Sequence, residues 1–453
     1  MTAGPAGSER DEATAPVSPG QAALGGTVAR RMRILHVTPY YQPSVGGLTL
    51  HVKSLSDGLA ARGHEVTVFT SRLFGSASRQ IDNRLPLVER IGDVTVRRFR
   101  SFPVIPPKLL TVPGGYRAAR ALLGADRYRL LADGPWMPQA VVAAFRLRPD
   151  VVLVASAEHE ALFLQFSRLR RLASTRLVAL PLLHLEHEWS RSPLVARYLS
   201  RFDVVLANTE HEQAFIDATC RPRPDSRTVG VGVDPEPFQH RNGRAIRERY
   251  GLGEDKVVGY VARLEPEKGV IRLIEAMRLV WQKEPNTRLL LAGHRFKADS
   301  ATDRSVEAAL DSLSPWHRSR VTVVAGFPEA DKASIFDACD VFALPSIAES
   351  FGIVYLEAWL CEKPVIGARI GAVQCVIEDG EDGFLVDPQG TGELFEAILR
   401  LIRDPELCRR LGRRGREKTM ARFTWSKVTD AVEAIYSETA ASRPSRRSRG
   451  PAG

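Results

Sequence analysis

The sequence predicts an α/β protein built from two doubly wound parallel-sheet domains that face each other across a cleft. Two series of short apolar segments alternate with helical patterns, one before and one after residues 234–252. Apolar runs of strand length that alternate with helices are typical of βαβ units, which build parallel sheets with helices on both faces. A length of 453 residues with 44% hydrophobic content is sufficient for two such domains, each with its own core.

The first series of elements predicts an N-terminal domain over residues 32–233. Its members are, in chain order, a strand at 34–38, a loop at 39–47, a helix at 48–61 and strands at 66–69, 94–99, 151–155, 177–183 and 204–208. The strands are rich in β-branched and apolar residues, which suits central positions in a parallel sheet. Four prolines interrupt the pattern between residues 101 and 149, where the prediction is a loop or a short helix.

The second series predicts a C-terminal domain over residues 253–424, behind a polar, proline-containing linker at 234–252. Its strands are predicted at 257–262, 288–292, 321–325, 341–344 and 364–366, and its helices at 270–283, 305–313, 330–338 and 353–361. Two doubly wound domains in tandem usually bind a ligand between the carboxyl ends of their strands. A final helix at 425–440 is expected to pack back onto the N-terminal domain.

The two ends of the chain lack this alternation. Residues 1–31 are rich in Ala, Gly, Ser, Pro and Thr, without the apolar segment behind a basic start that marks a signal peptide. We therefore expect a disordered leader there and a disordered basic tail at 441–453. No run of 18 apolar residues is present, so the sequence predicts no membrane-spanning helix.

The charge and the cysteine content limit the kinds of partner and the cellular compartment that the sequence predicts. The formal net charge is +10, and residues 97–176 alone hold 14 Lys and Arg against 5 Asp and Glu. Such a surface attracts phosphorylated ligands or anionic lipid, although a merely solvated face would carry the same charge. Nucleic acid is the less favoured partner because aromatic residues are not interleaved with the basic ones. The five widely spaced cysteines indicate neither a disulfide framework nor a zinc site and predict a reducing, cytoplasmic location.

The strongest chemical signal follows the strand predicted at 341–344. The string from Pro345 to Ala358 carries Glu349 and Glu357 with seven residues between them, and Ser350 and Gly352 where a helix would begin. A helix start offers free N–H groups and a positive dipole end, which suit a phosphate or a sugar hydroxyl. Either glutamate alone is more simply a helix cap or a surface residue, but the whole string after a buried strand predicts a polyol and phosphate site.

Two further loops lie at the ends of predicted strands. Arg263 and Lys268 flank a loop before a helix and could converge on a diphosphate, the former as a fork and the latter as a point charge. Gly46 and Gly47 precede the first helix, where backbone amides can face an anion. Seen alone, these are an ordinary charged loop and an ordinary turn.

Together these motifs resemble glycosyltransferase family 4 over most of residues 33–437. The resemblance implies two Rossmann-like domains in the GT-B arrangement, with the nucleotide-sugar donor on the C-terminal domain and the acceptor mainly on the N-terminal one. It implies that Arg263 and Lys268 neutralise the leaving diphosphate, that Glu349 contacts the donor sugar and that Glu357 contacts the ribose. The remaining donor-binding residues that it implies are Gly46, Gly47, Gly293, Ser350, Phe351, Gly352, Ile353 and Val354.

The family also has a histidine near the sugar, after the fifth strand of its first domain. Here the segment from Leu182 to Glu188 occupies that place, and we take His184 as the candidate and His187 as its alternative. The spacing in this segment matches no zinc-binding helix motif, and we expect no metal site. The chain departs from the family pattern at residues 229–234 and 370–375, which weakens any transfer of the donor sugar's identity.

The expected activity is therefore transfer of a sugar from a UDP- or GDP-sugar to an acceptor hydroxyl. The resemblance implies retention of configuration, and the lack of an Asp-x-Asp motif predicts that no metal cofactor is required. A lipid, a glycan and a small metabolite all remain open as acceptors, with an anionic membrane surface as a further expected partner. The alternatives are another GT-B enzyme, an epimerase or a phosphorylase, and a non-catalytic sugar-nucleotide or nucleic-acid binding protein.

Overall fold

A computed structural model gives the fold of the chain. It describes residues 30–44, 46–74, 80–101, 115–124, 127–128, 130–131, 134–172, 174–293 and 301–442. Most of the predicted leader and tail lie outside these ranges.

Within the described residues, the first lobe is built on an eight-stranded sheet. In chain order the strands of this lobe, including a two-stranded hairpin of β3 and β4, are β1 (Arg33–Val37), β2 (Glu65–Ser71), β3 (Leu73–Phe74), β4 (Gln80–Ile81), β5 (Val88–Ile91), β6 (Val94–Phe99), β7 (Val151–Ala155), β8 (Arg176–Leu180), β9 (Val204–Ala207) and β10 (Asp225–Thr228). The spatial order of the sheet is β10-β9-β8-β7-β1-β2-β6-β5, and all neighbours are parallel except β5 and β6. The helices of this lobe are α1 (Gly47–Ala61), α2 (Gly115–Leu123), α3 (Pro138–Leu147), α4 (Glu160–Phe166), α5 (Pro193–Leu199) and α6 (Glu210–Thr219).

The second lobe has a six-stranded, fully parallel sheet in the described residues, in the spatial order β13-β12-β11-β14-β15-β16. Its strands are β11 (Lys256–Val261), β12 (Thr287–Gly293), β13 (Val321–Ala325), β14 (Val341–Leu344), β15 (Val365–Ala368) and β16 (Gly383–Val386). Its helices are α7 (Gly243–Arg249), α8 (Val270–Lys283), α9 (Ala301–Asp311), α10 (Pro315–Ser319), α11 (Lys332–Ala338), α12 (Ile353–Leu360), α13 (Gly371–Gln374), α14 (Gly392–Arg403) and α15 (Pro405–Arg422). Two α/β lobes with parallel sheets confirm the predicted fold class.

The segment predicted as a linker is only partly a linker. Residues 243–249 form α7, whose Ile246, together with Leu252, is buried in the core of the second lobe. Arg247 donates to the Asp340 carboxylate at 2.7 Å and so ties this helix to the start of β14. The polar, proline-containing composition of this segment predicted a linker, but part of it is a helix of the second lobe. The strand predicted at 177–183 is also too long, since β8 ends at Leu180.

The last helix, α16 (Trp425–Ala441), packs against the first lobe. Val428, Val432 and Tyr436 on its inner face are buried in the same cluster as the residues of β1 and β2. The chain therefore crosses between the lobes twice, and the two crossings pair where Val233 donates its N–H to Phe423 O at 2.8 Å. None of the helices in the described ranges combines the length and the apolar character of a membrane-spanning segment.

Candidate active site

A buried ion pair joins the two strongest sequence motifs. Lys268 follows β11 and Glu349 follows β14, which is the neighbouring strand in the sheet. The Lys268 Nζ atom lies 2.8 Å from Glu349 Oε1 and 3.2 Å from the carbonyl oxygen of Ala348. Only 10% and 11% of the two side chains are exposed. The carboxyl edge of the second sheet therefore holds a desolvated cation and anion in direct contact.

Backbone contacts fix the two loops that carry this pair. The Ile347 N–H donates to the carbonyl oxygen of Glu267 at 2.9 Å. Gly269 has a φ of +80°, and a Cβ atom at this position would lie 2.1 Å from the Pro345 carbonyl oxygen. Only glycine permits this approach, because the site combines a left-handed backbone with a backbone neighbour that cannot yield.

Arg263 stands at the start of the same loop but closer to solvent. Half of its side chain is exposed, and its Nη1 donates to Glu265 Oε1 at 2.9 Å. The buried hydroxyl of Tyr260 donates to the Arg263 carbonyl oxygen at 2.6 Å and anchors the backbone there. Both cations of this loop are thus paired with acids, Arg263 with Glu265 near the surface and Lys268 with Glu349 in the interior.

The second glutamate of the motif has a partner that the sequence reading missed. Glu357, on α12, is 4% exposed, and its Oε1 lies 2.5 Å from the Nζ atom of Lys332 on α11. Burial raises the pKa of Glu357, and the positive charge of Lys332 opposes that rise. Glu357 Oε2 has no hydrogen-bond partner among the described atoms. Nothing in the local sequence around Lys332 indicates this role, because the contact forms between two separate helices.

The residues between the glutamates shape the start of α12. Gly352 caps the helix with a φ of +92°, and a Cβ atom there would lie 2.5 Å from the ring of Tyr355. The side chain of Phe351 is buried and packs edge-on against Phe423, with the ring centroids 5.6 Å apart. Phe351 can therefore face a ligand through its backbone but not through its side chain. The neighbouring residues Ser350, Ile353 and Val354 are half-buried.

His184 lies on the opposite lobe, just beyond β8. Burial lowers its pKa to about 4, while the charges of Glu349 and Lys268 act on it in opposite directions. His184 is therefore neutral at pH 7, and its Nδ1 atom is buried without a hydrogen-bond partner among the described residues. The alternative candidate, His187, contacts the second lobe directly, with Nε2 3.4 Å from Glu267 Oε1. The structure thus brings the histidine segment to the loops of the ion pair.

Besides Gly352, the three other glycines named from the sequence have different surroundings. Gly46 and Gly47 are exposed at the start of α1, and an added Cβ atom at either would meet no atom within 4 Å. Open space of this kind fits a backbone that a ligand approaches. Gly293 has a structural reason instead, because a Cβ atom there would lie 1.7 Å from the Ala262 carbonyl oxygen. In the described part of the chain, no group of three or more His, Cys, Asp or Glu residues is placed to hold a metal ion.

Two family models match this chain, one over each lobe. Residues 45–237 match the model described as Glycosyltransferase Family 4, and residues 243–418 match the one described as Glycosyl transferases group 1. The chain belongs to the family 4 glycosyltransferases. Both motif loops of the ion pair fall within the second match.

Curated relatives resemble this glycosyltransferase over nearly its whole length. It is 29% identical over 435 residues to D-inositol 3-phosphate glycosyltransferase of Saccharomonospora viridis, covering 91% of this chain and 95% of that protein. The same enzyme of Mycobacterium tuberculosis is 29% identical over 431 residues, with coverage of 90% and 83%. These relatives are transferases of glycosyl groups.

Solved structures share the fold of this glycosyltransferase. Sucrose-phosphate synthase from Thermosynechococcus elongatus has a TM-score of 0.71 at 23% identity, over 91% of this chain and all of that chain. Anabaena HepE in complex with UDP-glucose has a TM-score of 0.66 at 22% identity, over 90% of this chain and all of that chain. At these identities the likeness establishes the GT-B architecture alone.

Proposed function

We propose that this glycosyltransferase moves a hexosyl group from a UDP-sugar to the hydroxyl of a small phosphorylated polyol or sugar, with retention of configuration. The observation that carries the proposal is the buried Lys268–Glu349 pair at the carboxyl edge of the second sheet, next to His184 of the first lobe. A cation, an acid and a neutral imidazole in one desolvated place suit a diphosphate leaving group beside a polyol.

The chemistry needs charge stabilisation on the leaving group. The bond between the anomeric carbon and the β-phosphate oxygen breaks, and the acceptor oxygen bonds to that carbon on the same face. The acceptor hydroxyl proton passes to the departing phosphate oxygen, so atoms and charge balance. Arg263, Lys268 and the amides at the start of α12 face the negative charge that develops, and a dry cleft strengthens each interaction.

The donor and acceptor classes come from the relatives. Anabaena HepE was solved with UDP-glucose, which favours a UDP-sugar over a GDP-sugar. The names D-inositol 3-phosphate glycosyltransferase and sucrose-phosphate synthase both refer to small phosphorylated compounds. The excess of arginine over acid in residues 97–176 supports an anionic acceptor through electrostatic steering.

The proposal includes turnover without a required metal. In this proposal the protein's own cations, Arg263 and Lys268, offset the diphosphate charge in place of a bridging metal. Activity should therefore survive EDTA, and a loss of activity that Mg²⁺ or Mn²⁺ restores would refute this part.

The central experiment is a donor and acceptor screen with purified protein. UDP- and GDP-sugars are incubated alone and with inositol phosphates, sugar phosphates, a polyprenyl phosphate or an oligosaccharide, and released nucleotide and product are quantified. We expect UDP release that a phosphorylated small acceptor accelerates, abolished in Lys268→Ala and Glu349→Ala but not in Glu248→Gln, an exposed control. Conversion of the UDP-sugar into another sugar nucleotide without any acceptor would favour an epimerase. A requirement for inorganic phosphate would favour a phosphorylase. Preference for the lipid or the oligosaccharide would overturn the acceptor assignment.

A second candidate role, contact with an anionic membrane surface on the cytoplasmic side, rests on one groove in the first lobe. It has a volume of about 880 Å³ and lies between α3 and strands β5 and β6. Leu87, Val88 and Val142 line it with 54%, 59% and 51% of their surface exposed. Arg100 and Arg146 line the same groove, which pairs apolar surface with positive charge.

The sequence continues beyond Arg100 with the apolar residues Phe102, Val104, Ile105, Leu109 and Leu110, which lie outside the described residues. Sedimentation with phosphatidylglycerol vesicles at low salt tests the proposal, with phosphatidylcholine vesicles as the control. Equal binding to both lipids, or to neither, would refute it.

The described cysteines are all free thiols, which accords with a reducing compartment.

A further inference from the structure

A buried carboxylate holds together two loops of the first lobe at the cleft. Glu212 lies in the first turn of α6 and is 2% exposed. Its Oε1 accepts the N–H of Leu183 at 2.8 Å, and its Oε2 accepts the N–H of Asn208 at 2.7 Å. Leu183 directly precedes His184, and Asn208 directly follows β9. One side chain therefore clamps the loops that follow two neighbouring strands, β8 and β9.

The clamp consists only of the two hydrogen bonds that the Glu212 carboxylate accepts from backbone N–H groups. Within the described ranges, Glu212 forms no ion pair with Lys, Arg or His, although its carboxyl group is out of contact with water. Burial raises the pKa of Glu212 to about 7, and the N–H groups of Leu183 and Asn208 oppose that rise. A buried carboxylate is costly, and simple helix capping does not require one, because Thr209 already caps α6 through the Glu212 N–H at 3.1 Å.

The clamped loops have two unusual features, a left-handed backbone at one residue and buried polar atoms without hydrogen-bond partners among the described residues. Leu182 has a φ of +57°, a left-handed conformation that a non-glycine residue keeps only when its surroundings impose it. His184 Nδ1 and Asn208 Oδ1, one on each loop, are buried atoms without a hydrogen-bond partner among the described residues. Buried polar atoms without a partner are rare in native proteins, and a bound ligand is one reason for them.

We propose that Glu212 is a positioning residue, which fixes His184 and Asn208 toward the ligand through the backbone of their loops. The substrate-facing part of this inference rests on the proposed function. The inference gives Glu212 no direct contact with substrate, because its side chain is buried and both of its oxygens bind N–H groups of the protein.

The test is the Glu212→Gln variant, which preserves shape but turns an amide NH₂ toward a backbone N–H. We expect kcat to fall roughly 10- to 100-fold, the loss that a misplaced active-site group causes, with the UDP-sugar KM unchanged. Ile216→Val is the matched control on the same helix, because Ile216 is fully buried in the core and its aliphatic side chain forms no hydrogen bond with either loop. It should lower the melting temperature and leave kcat as in the wild type.

A double-mutant cycle separates positioning from general stability. If Glu212 acts through His184, Glu212→Gln combined with His184→Ala should have about the kcat of His184→Ala alone. Multiplicative losses, or a Glu212→Gln variant with wild-type kcat, would overturn the proposal. If Glu212→Gln does not fold, Glu212→Asp takes its place, because its shorter side chain cannot reach both N–H groups.

A readout independent of turnover keeps the two proposals distinguishable. In protein labelled at the histidine rings, the His184 resonances are identified by their loss in His184→Ala. Glu212→Gln should shift or broaden them, and Ile216→Val should not. Absence of turnover in the wild type would refute the proposed function, and unshifted His184 resonances would refute the positioning role.

Discussion

Replacing Lys268 by methionine should destabilise the second lobe far more than the loss of a surface ion pair. The Lys268 Nζ and Glu349 Oε1 atoms are 2.8 Å apart, which corresponds to about 6 kcal/mol of attraction at an effective dielectric constant near 20. Desolvation of both charges offsets much of this in the wild type. The variant leaves Glu349, with an 11% exposed side chain, without its cation. We therefore expect a loss of about 3 kcal/mol in the free energy of unfolding.

Urea unfolding followed by tryptophan fluorescence measures this loss, since Trp281 and Trp359 both lie in the core of the second lobe. The double variant Lys268→Met with Glu349→Gln removes the stranded charge. It should therefore recover on the order of 1–2 kcal/mol relative to Lys268→Met alone. A loss below about 1 kcal/mol for Lys268→Met would mean that the pair behaves as an exposed one. Additive losses in the double variant would equally refute the reasoning.

Three further predictions concern other parts of the molecule. Lys332→Met should weaken UDP binding roughly tenfold by titration calorimetry, because Glu357 loses the cation that holds it; unchanged affinity would exclude Glu357 from the nucleotide site. Burial lowers the pKa of His51 to about 4, below its unfolded value near 6.5, so its contribution to stability is complete above pH 6.5 and lost as the pH falls. As the pH falls from 7 to 5, the wild type should therefore lose about 2 kcal/mol of unfolding free energy that His51→Leu does not lose. A difference between the two proteins that stays constant with pH would contradict the assignment. Gly47→Ala should keep or raise the melting temperature, because the added methyl group meets open space, yet lower kcat/KM if the donor approaches this backbone. Wild-type kinetics would remove Gly47 from the site.

Local patterns in the sequence were sufficient for the central elements of the fold. Residues 151–155 and 341–344 are continuous apolar runs, and the structure has strands with these bounds. The helix over residues 270–283 was equally readable from its amphipathic period. The helix over residues 243–249 was missed, because its hold on the second lobe comes from Ile246 and Arg247, whose partners are distant in sequence.

By itself, the sequence determined the class of the fold and the loops that carry the charges, since strand ends and helix starts are local features of the chain. Only the tertiary structure decided the partners. Lys268 meets Glu349 across 81 positions, Lys332 meets Glu357 across 25, and Glu212 reaches Leu183 across 29. Which charge offsets which depends on how strands and helices pack side by side. Packing also sets the burial that makes each of these contacts strong, and neither can be read from spacing along the chain.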